Sequence, residues 1–305
     1  MTTINHFIDL PDIDPDVLKG IIRNAHEMKK FKFNPPQIFS GLSLAMVFDK
    51  RSTRTRMSFE VAMKQLGGHT IPMTMAEMQI TDSESIEDTG QVLSRFVDAV
   101  MIRMSDHDTL VNLSNNTYIP VINGLTDHSH PCQIMADIVT IEEKLGDIQG
   151  KKIAWYGDYN NVARTFVQAA TIFDFELVMA VPEEQHESNT SYLSFTAEPM
   201  QASIDADVVV TDTWISMGED GKSTAQFEPF KVTMDIMGQA RDNALFMHCM
   251  PIHRGHEVDD AVLESKHSVI YDEAENRLHA QKAILAWCLS EAGVRVQQSF
   301  NFEEQ

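Results

Sequence analysis

Phe48-Asp49-Lys50-Arg51-Ser52-Thr53-Arg54-Thr55-Arg56 is the stretch on which the reading of this chain turns. Ahead of it, residues 42–48 (Leu-Ser-Leu-Ala-Met-Val-Phe) are short and mostly apolar, as a buried strand is. Behind it, Met57, Phe59, Val61, Ala62, Met63 and Leu66 supply the apolar part of a helix over residues 56–66 that Gly67-Gly68 would end. A strand, a turn and a helix in that order leave unpaired backbone N–H groups and the positive end of the helix dipole at the turn, where an anion is stabilised. The hydroxyls of Ser52, Thr53 and Thr55 add donors there, and Arg54 can fork bidentately onto a phosphate. By itself the run reads equally well as a solvated turn, so the rest of the chain must decide.

Working outward, helix-like and strand-like runs alternate. In the first half, helices are expected over residues 16–30, 56–66 and 85–96, with strands over 42–49, 69–73, 99–102 and 120–122. Ser85-Ile-Glu-Asp resembles a capping box at the third helix. A longer helix over residues 131–145, closed by Gly146, precedes a second alternating series with strands over 152–156, 177–181, 208–211, 245–248 and 269–271 and a final amphipathic helix over 276–292. Residues 183–203 carry no clear pattern. Such alternation predicts an α/β fold of two domains, each a parallel sheet flanked by helices, joined by two interdomain helices.

A formal net charge of −21 argues against nucleic-acid binding and against anionic membranes, since both need clustered Lys and Arg. An anionic ligand must therefore be drawn in locally, and Lys50, Arg51, Arg54 and Arg56 form the basic patch that would do it. Cys132, Cys249 and Cys288 are odd in number and far apart, which is no disulfide framework and fits a reducing cytoplasm. Residues 1–16 show no secretory signal and no apolar run reaches membrane-spanning length.

Four further places carry chemistry. Ser129-His130-Pro131-Cys132-Gln133 opens the long helix, with Pro131 suited to its first position; His130 is placed to donate to an oxyanion and Gln133 to read an amide, or the run is only a capping turn. Arg103 ends a predicted strand, where open α/β sheets bind ligands and where an Arg must be paired. Asp212-Thr213-Trp214-Ile215-Ser216-Met217-Gly218 follows another strand, so that Asp212 is placed to hold a cation, although a surface loop with a buried Trp has the same pattern. Met247-His248-Cys249-Met250-Pro251 ends the next strand, and its Cys249 is either a small core residue or a neighbour of Asp212. Trp155-Tyr156-Gly157-Asp158-Tyr159-Asn160-Asn161 lacks the spacing of a dinucleotide fingerprint, and Gly221-Lys222-Ser223 lacks the earlier glycine of a P-loop, since Ser216 stands there.

In this order and spacing, Ser-Thr-Arg-Thr-Arg at Ser52, His-Pro-Cys-Gln at His130, Asp-Thr-Trp-Ile-Ser-Met-Gly at Asp212 and His-Cys-Met-Pro at His248 strongly resemble the ornithine carbamoyltransferases, over nearly the whole chain. Gln79, Arg103, Asn161 and the run Asp272-Glu273-Ala274-Glu275-Asn276-Arg277-Leu278-His279 extend the match, and Ser216-Met217-Gly218 points to the ornithine branch rather than the aspartate or putrescine branches. The resemblance implies transfer of a carbamoyl group from carbamoyl phosphate to L-ornithine, without cofactor or metal. It implies that Ser52, Thr53, Arg54, Thr55 and Arg103 hold the phosphate, with Gln79 entering from an adjacent subunit of a homotrimer or a multiple of trimers. Arg54, Thr55 and His130 would polarise the carbonyl oxygen, with Arg277 near it. Gln133 and the backbone carbonyls of Cys249 and Met250 would hold the carbamoyl amino group. Asn161, Asp212, Ser216 and Met217 would bind ornithine, with Cys249 and Asp212 beside the attacking amine.

The expected domains are residues 1–145 with 282–305 for carbamoyl phosphate and 146–281 for ornithine, and the expected location is the cytoplasm. The chain departs from the family in carrying Met250 where Leu is usual, Tyr159 where Gly is frequent and His256 where an acid is common, and residues 183–203 match poorly. Rival readings are a metal-dependent hydrolase using His128, His130, Cys132, His253 and His256, a non-enzymatic carbamoyl phosphate sensor, and a carbamoyltransferase with another amine as acceptor.

Overall fold

The computed structural model describes residues 4–31, 34–49, 52–78, 84–215 and 223–290. Two compact units make up the chain, Met1–Met135 with Arg277–Gln305, and Ala136–Asn276.

The first unit is built on a four-stranded parallel sheet of order β2-β1-β3-β4, with β1 Ser43–Phe48, β2 His69–Thr74, β3 Ala99–Arg103 and β4 Val121–Leu125. Continuous apolar runs mark strands covered on both faces, and every residue of β3 is buried. Around the sheet run α1 (Pro15–Lys30), α2 (Thr53–Gln65), α3 (Ile86–Phe96) and α4 (His107–Asn115). In α1 the buried Leu18, Ile21, Ile22, Ala25 and Met28 follow helical spacing, while Asp14 caps the first turn by accepting from the Asp16 N–H. One face of the sheet closes through Ala45, Val47, Val100, Ile102, Leu110, Leu113 and Val121. Each fully buried side chain of this size contributes about 1.5–3 kcal/mol over its exposed state, so a charge introduced at Val100 would break the unit.

The second unit holds a five-stranded parallel sheet of order β7-β6-β5-β8-β9, with β5 Lys152–Tyr156, β6 Glu176–Ala180, β7 Leu193–Thr196, β8 Val208–Thr211 and β9 Leu245–His248. Its longest helix is α6 (Asn161–Phe173), and the short α7 (Pro199–Ala202), α8 (Met234–Met237) and α9 (Asp260–Leu263) fill the connections. Two helices run across the division between units in sequence, α5 (Pro131–Leu145) and α10 (Ile270–Ser290).

Three expectations need correction. Residues 53–55 are not turn but the first turn of α2, because Ser52 takes the extended N-cap conformation and the backbone coils directly after it. Residues 269–271 are not a strand: the chain touches β9 only through the Phe246–Ser268 bridge, and α10 begins at Ile270. Asp272 and Glu273 in that first turn favour the helix through its dipole. The patternless segment 183–203 contains β7, an edge strand of four residues, of which only Leu193 is buried, too few to show a period.

Strand order fixes where a ligand can go. The connections leave the first sheet in opposite directions between β1 and β3, and the second between β5 and β8; a crevice opens at the carboxyl ends of such a pair. Ser52 and Arg103 follow from β1 and β3, whose register pairs Phe48 with Arg103. Asn160 and Asp212 follow β5 and β8.

Candidate active site

In the first unit, α2 begins with no acidic residue in its first turn and with the Ser52 hydroxyl not spent on capping it, so its N–H groups and dipole face the β1–β3 crevice unneutralised. Thr53 and Arg54 are exposed there, while Thr55 is buried. The Thr55 hydroxyl oxygen accepts from Arg103 Nη1 at 3.1 Å and from Arg277 Nη2 at 2.9 Å. Two lone pairs are thereby used, so the hydroxyl hydrogen has to point away from both guanidinium groups, as a donor. Arg277 Nη1 also donates to Gln133 Oε1 at 2.8 Å, which fixes the amide of a fully buried side chain.

His130 is almost fully buried at the start of α5, where its carbonyl accepts from the Gln133 N–H at 3.0 Å. Burial foremost, then the positive charges of Arg277, Arg103 and Arg54, push its pKa well below the usual histidine value. The imidazole is therefore neutral and can donate a hydrogen bond without adding a fourth positive charge. Cys132, two residues on, gives its thiol to the Asn123 carbonyl at 3.3 Å and burial raises its pKa to about 12, so it is a structural thiol.

In the second unit, the β8–β9 register pairs Thr211 with His248, which sets Asp212 and Cys249 side by side just past the strands. Asp212 Oδ1 accepts from the Cys249 thiol at 3.1 Å and from the Thr213 N–H at 2.7 Å, and Oδ2 accepts from Asn160 Nδ2 at 2.9 Å. Burial foremost, then the negative charge of Asp212, raises the Cys249 pKa well above its ordinary value. Cys249 is thus a neutral thiol and a hydrogen-bond donor, not a thiolate nucleophile. Met250 stands in the left-handed region at φ +59° ahead of a cis peptide to Pro251, and its N–H donates to His248 Nδ1 at 2.9 Å. His248 Nε2 lies 3.2 Å from Glu257 Oε1, so both of its ring nitrogens are engaged. Gly157 is required after β5, because at φ +106° a Cβ there would come within 2.7 Å of Trp214 Nε1.

The structure thus brings Ser52, Thr53, Arg54, Thr55, Arg103, His130, Gln133 and Arg277 into the first unit and Asn161, Asp212, Cys249 and Met250 into the second. Asn161 is the first residue of α6 and half-buried. Lys50, Arg51, Gln79, Ser216, Met217, Gly218, Gly221 and Lys222 lie outside the described residues. Sequence reasoning missed Asn160, which caps α6 by accepting from the Val162 and Ala163 N–H groups while holding Asp212. Asn before a helical run was the available signal. It also missed Glu273, which accepts from the His248 N–H at 2.8 Å and has no local signature. The rival metal set does not gather: among the described residues, the groups close enough to share an ion are Asp9, His107 and His128, and Asp212, His248 and Cys249.

Both units match known proteins. Residues 5–143 match the family model of the aspartate/ornithine carbamoyltransferase carbamoyl-P binding domain, and residues 149–288 that of the Asp/Orn binding domain. The ornithine carbamoyltransferase of Mesorhizobium japonicum is 48% identical over 303 residues, covering 94% of this chain and 99% of the relative, and that of Brucella abortus is 47% identical over 306 residues, covering 95% and 97%. Among solved structures, ornithine carbamoyltransferase from Pyrococcus furiosus superposes with a TM-score of 0.87 at 42% identity, covering 92% of this chain and 96% of that one. The anabolic ornithine carbamoyltransferase from Campylobacter jejuni does so at 0.86 and 34% identity, covering 93% and 99%.

Proposed function

The chain belongs to the aspartate/ornithine carbamoyltransferase family, and we propose that within it the protein is an ornithine carbamoyltransferase, forming L-citrulline and phosphate from carbamoyl phosphate and L-ornithine. The observation that carries the choice of acceptor is Asp212, a buried carboxylate held by Asn160 and Cys249 at the switch point of the second sheet. Ornithine carries one ammonium more and one carboxylate fewer than aspartate, so a carboxylate there favours ornithine. Resemblance to an anabolic enzyme supports a role in arginine biosynthesis.

In this reading the first unit binds carbamoyl phosphate. The α2 N-terminus, Ser52, Thr53, Arg54, Thr55 and Arg103 take the phosphate; His130, Thr55 and Arg54 donate to the carbonyl oxygen, with Arg277 beside it. Gln133, with the Cys249 and Met250 carbonyls, serves the carbamoyl NH2. In the second unit Asn161 and Asp212, with Ser216 and Met217, bind the α-carboxylate and α-ammonium of ornithine. The uncharged δ-amine attacks the carbonyl carbon, a tetrahedral intermediate forms, and phosphate leaves. Orientation and oxyanion stabilisation supply the rate. The resemblance further carries assembly as a trimer with Gln79 crossing to a neighbour, and light scattering of the purified protein tests it.

Carbamoyl transfer to a panel of amines is the deciding experiment. Citrulline from ornithine, with aspartate, putrescine and N-acetylornithine inert, is the expected result. Preference for any of those three overturns the reading, as does binding of carbamoyl phosphate without transfer.

A further inference from the structure

Two imidazoles converge on one carboxylate oxygen at the carboxyl edge of the first sheet. His107 Nε2 stands 3.3 Å and His128 Nε2 3.8 Å from Asp9 Oδ2, and the three atoms lie within 4.8 Å of one another. We propose that Asp9, His107 and His128 bind a divalent transition-metal ion of the Zn2+ or Co2+ class, with its fourth position open to water.

The spacing fits such an ion. Ligand atoms about 2.0–2.2 Å from a tetrahedral centre lie roughly 3.3–3.5 Å apart, so the His107–Asp9 edge is already formed, the His128–Asp9 edge needs a few tenths of an ångström, and the His107–His128 edge, within 4.8 Å, closes by rotation of the more exposed His128 ring. The donor set is two imidazoles and one carboxylate, which suits zinc and its neighbours and not a hard ion that seeks only oxygen. Two of the three ligands are held from behind. Asp9 Oδ1 accepts from the Ser129 hydroxyl, which turns Oδ2 toward the rings. His107 Nδ1 lies 2.9 Å from Thr126 Oγ1, a contact that fixes the ring's orientation.

Placement is equally specific. His107 is the first residue of α4, Asp9 immediately precedes the short helical turn Leu10–Asp12, and His128 sits in the turn after β4. The His107 and His128 rings pass 4.7 Å apart between centroids. Two rings converge on Asp9, whereas one His suffices for an ordinary ion pair with it. Side-chain exposure of 51% at His128 against 18% and 13% at His107 and Asp9 gives solvent a path to one side of the site. An ion there would tie the N-terminal segment to the Thr126–His130 turn, whose Thr126 oxygen also accepts from the His128 and Ser129 N–H groups.

Titration of the full-length, metal-stripped protein with Co2+, followed by visible absorption, tests this without any activity measurement. One ion per chain is expected, with ligand-field bands and no thiolate charge-transfer band. His128→Ala should keep the fold, since the side chain is half-exposed, and raise the apparent dissociation constant at least about tenfold, as loss of even an indirect supporting group does. Asp9→Asn should act in the same direction, and Cys249→Ser should leave binding unchanged. Saturable binding that His128→Ala does not weaken, a thiolate band abolished by Cys249→Ser, or no binding at all overturns the proposal.

Discussion

Replacing Thr55 by Val keeps the shape of the side chain and removes one oxygen and its hydrogen. In the structure that oxygen accepts from two guanidinium groups, at 3.1 and 2.9 Å, and its hydrogen is thereby aimed away from them. Two losses follow. Arg103 and Arg277, both buried, each lose a charge-assisted hydrogen bond of about 1.5–3 kcal/mol, which should lower the denaturation midpoint of the free protein. In the reaction the missing hydroxyl is also a missing donor to the carbonyl oxygen, for which the removal of one such donor costs about 2.7–4 kcal/mol, or about 100- to 1,000-fold in rate. Steady-state citrulline formation, with carbamoyl phosphate varied at saturating ornithine, should show kcat/KM falling by that factor. Thr55→Ser keeps the oxygen and should recover most of it. A folded Thr55→Val enzyme whose kcat/KM stays within about threefold of the parent would refute the inference that the two arginines aim this hydroxyl at the substrate.

Arg54→Ala, an exposed substitution at the first turn of α2, should leave the melting temperature nearly unchanged and cost about 100- to 1,000-fold in turnover; near-normal turnover would remove Arg54 from the site. Activity should climb from neutral to alkaline pH, because an amine of reference pKa about 10.4 is mostly charged at neutrality, and a flat profile would show that its deprotonation is not limiting. Lys282 is fully buried, its Nζ has no hydrogen-bond partner among the described residues, and burial lowers its pKa from 10.5 to about 8. The folded value lies below the unfolded one, so the penalty is complete below pH 8 and fades as pH rises toward 10.5; Lys282→Met should stabilise the protein by about 3 kcal/mol at neutral pH and by little at pH 10, and an unchanged urea midpoint would contradict this. Cys249, a neutral thiol bonded to Asp212, should react with iodoacetamide more slowly than free cysteine at pH 8, as mass spectrometry of the modified site can show.

Local chemistry made much of this protein legible in one dimension. Apolar runs such as Leu-Ala-Met-Val-Phe in β1 and Val-Val-Val-Thr in β8 read as buried strands of a covered parallel sheet, and Pro131 after His130 marks a helix start through its φ preference, whereas the apolar pattern misses the Ser52 cap and begins that helix three residues late. Edge strand β7 and the first turn of α10 escaped that logic. In the first the period is too short to register, and in the second helix-dipole charges outweigh the β-branched Val269 and Ile270. The arrangement of each half-site is a different matter. Thr55 meets Arg277 across 222 positions and Cys249 meets Asp212 across 37, because strand order and register, not spacing, bring chain segments together. The same holds for protonation: sequence names a His and a Cys, but only burial beside three arginines pushes the His130 pKa down, and only burial beside Asp212 pushes the Cys249 pKa up. Residue type sets what a group can do, whereas its charge state and direction depend on the dielectric and the partners that folding gathers around it.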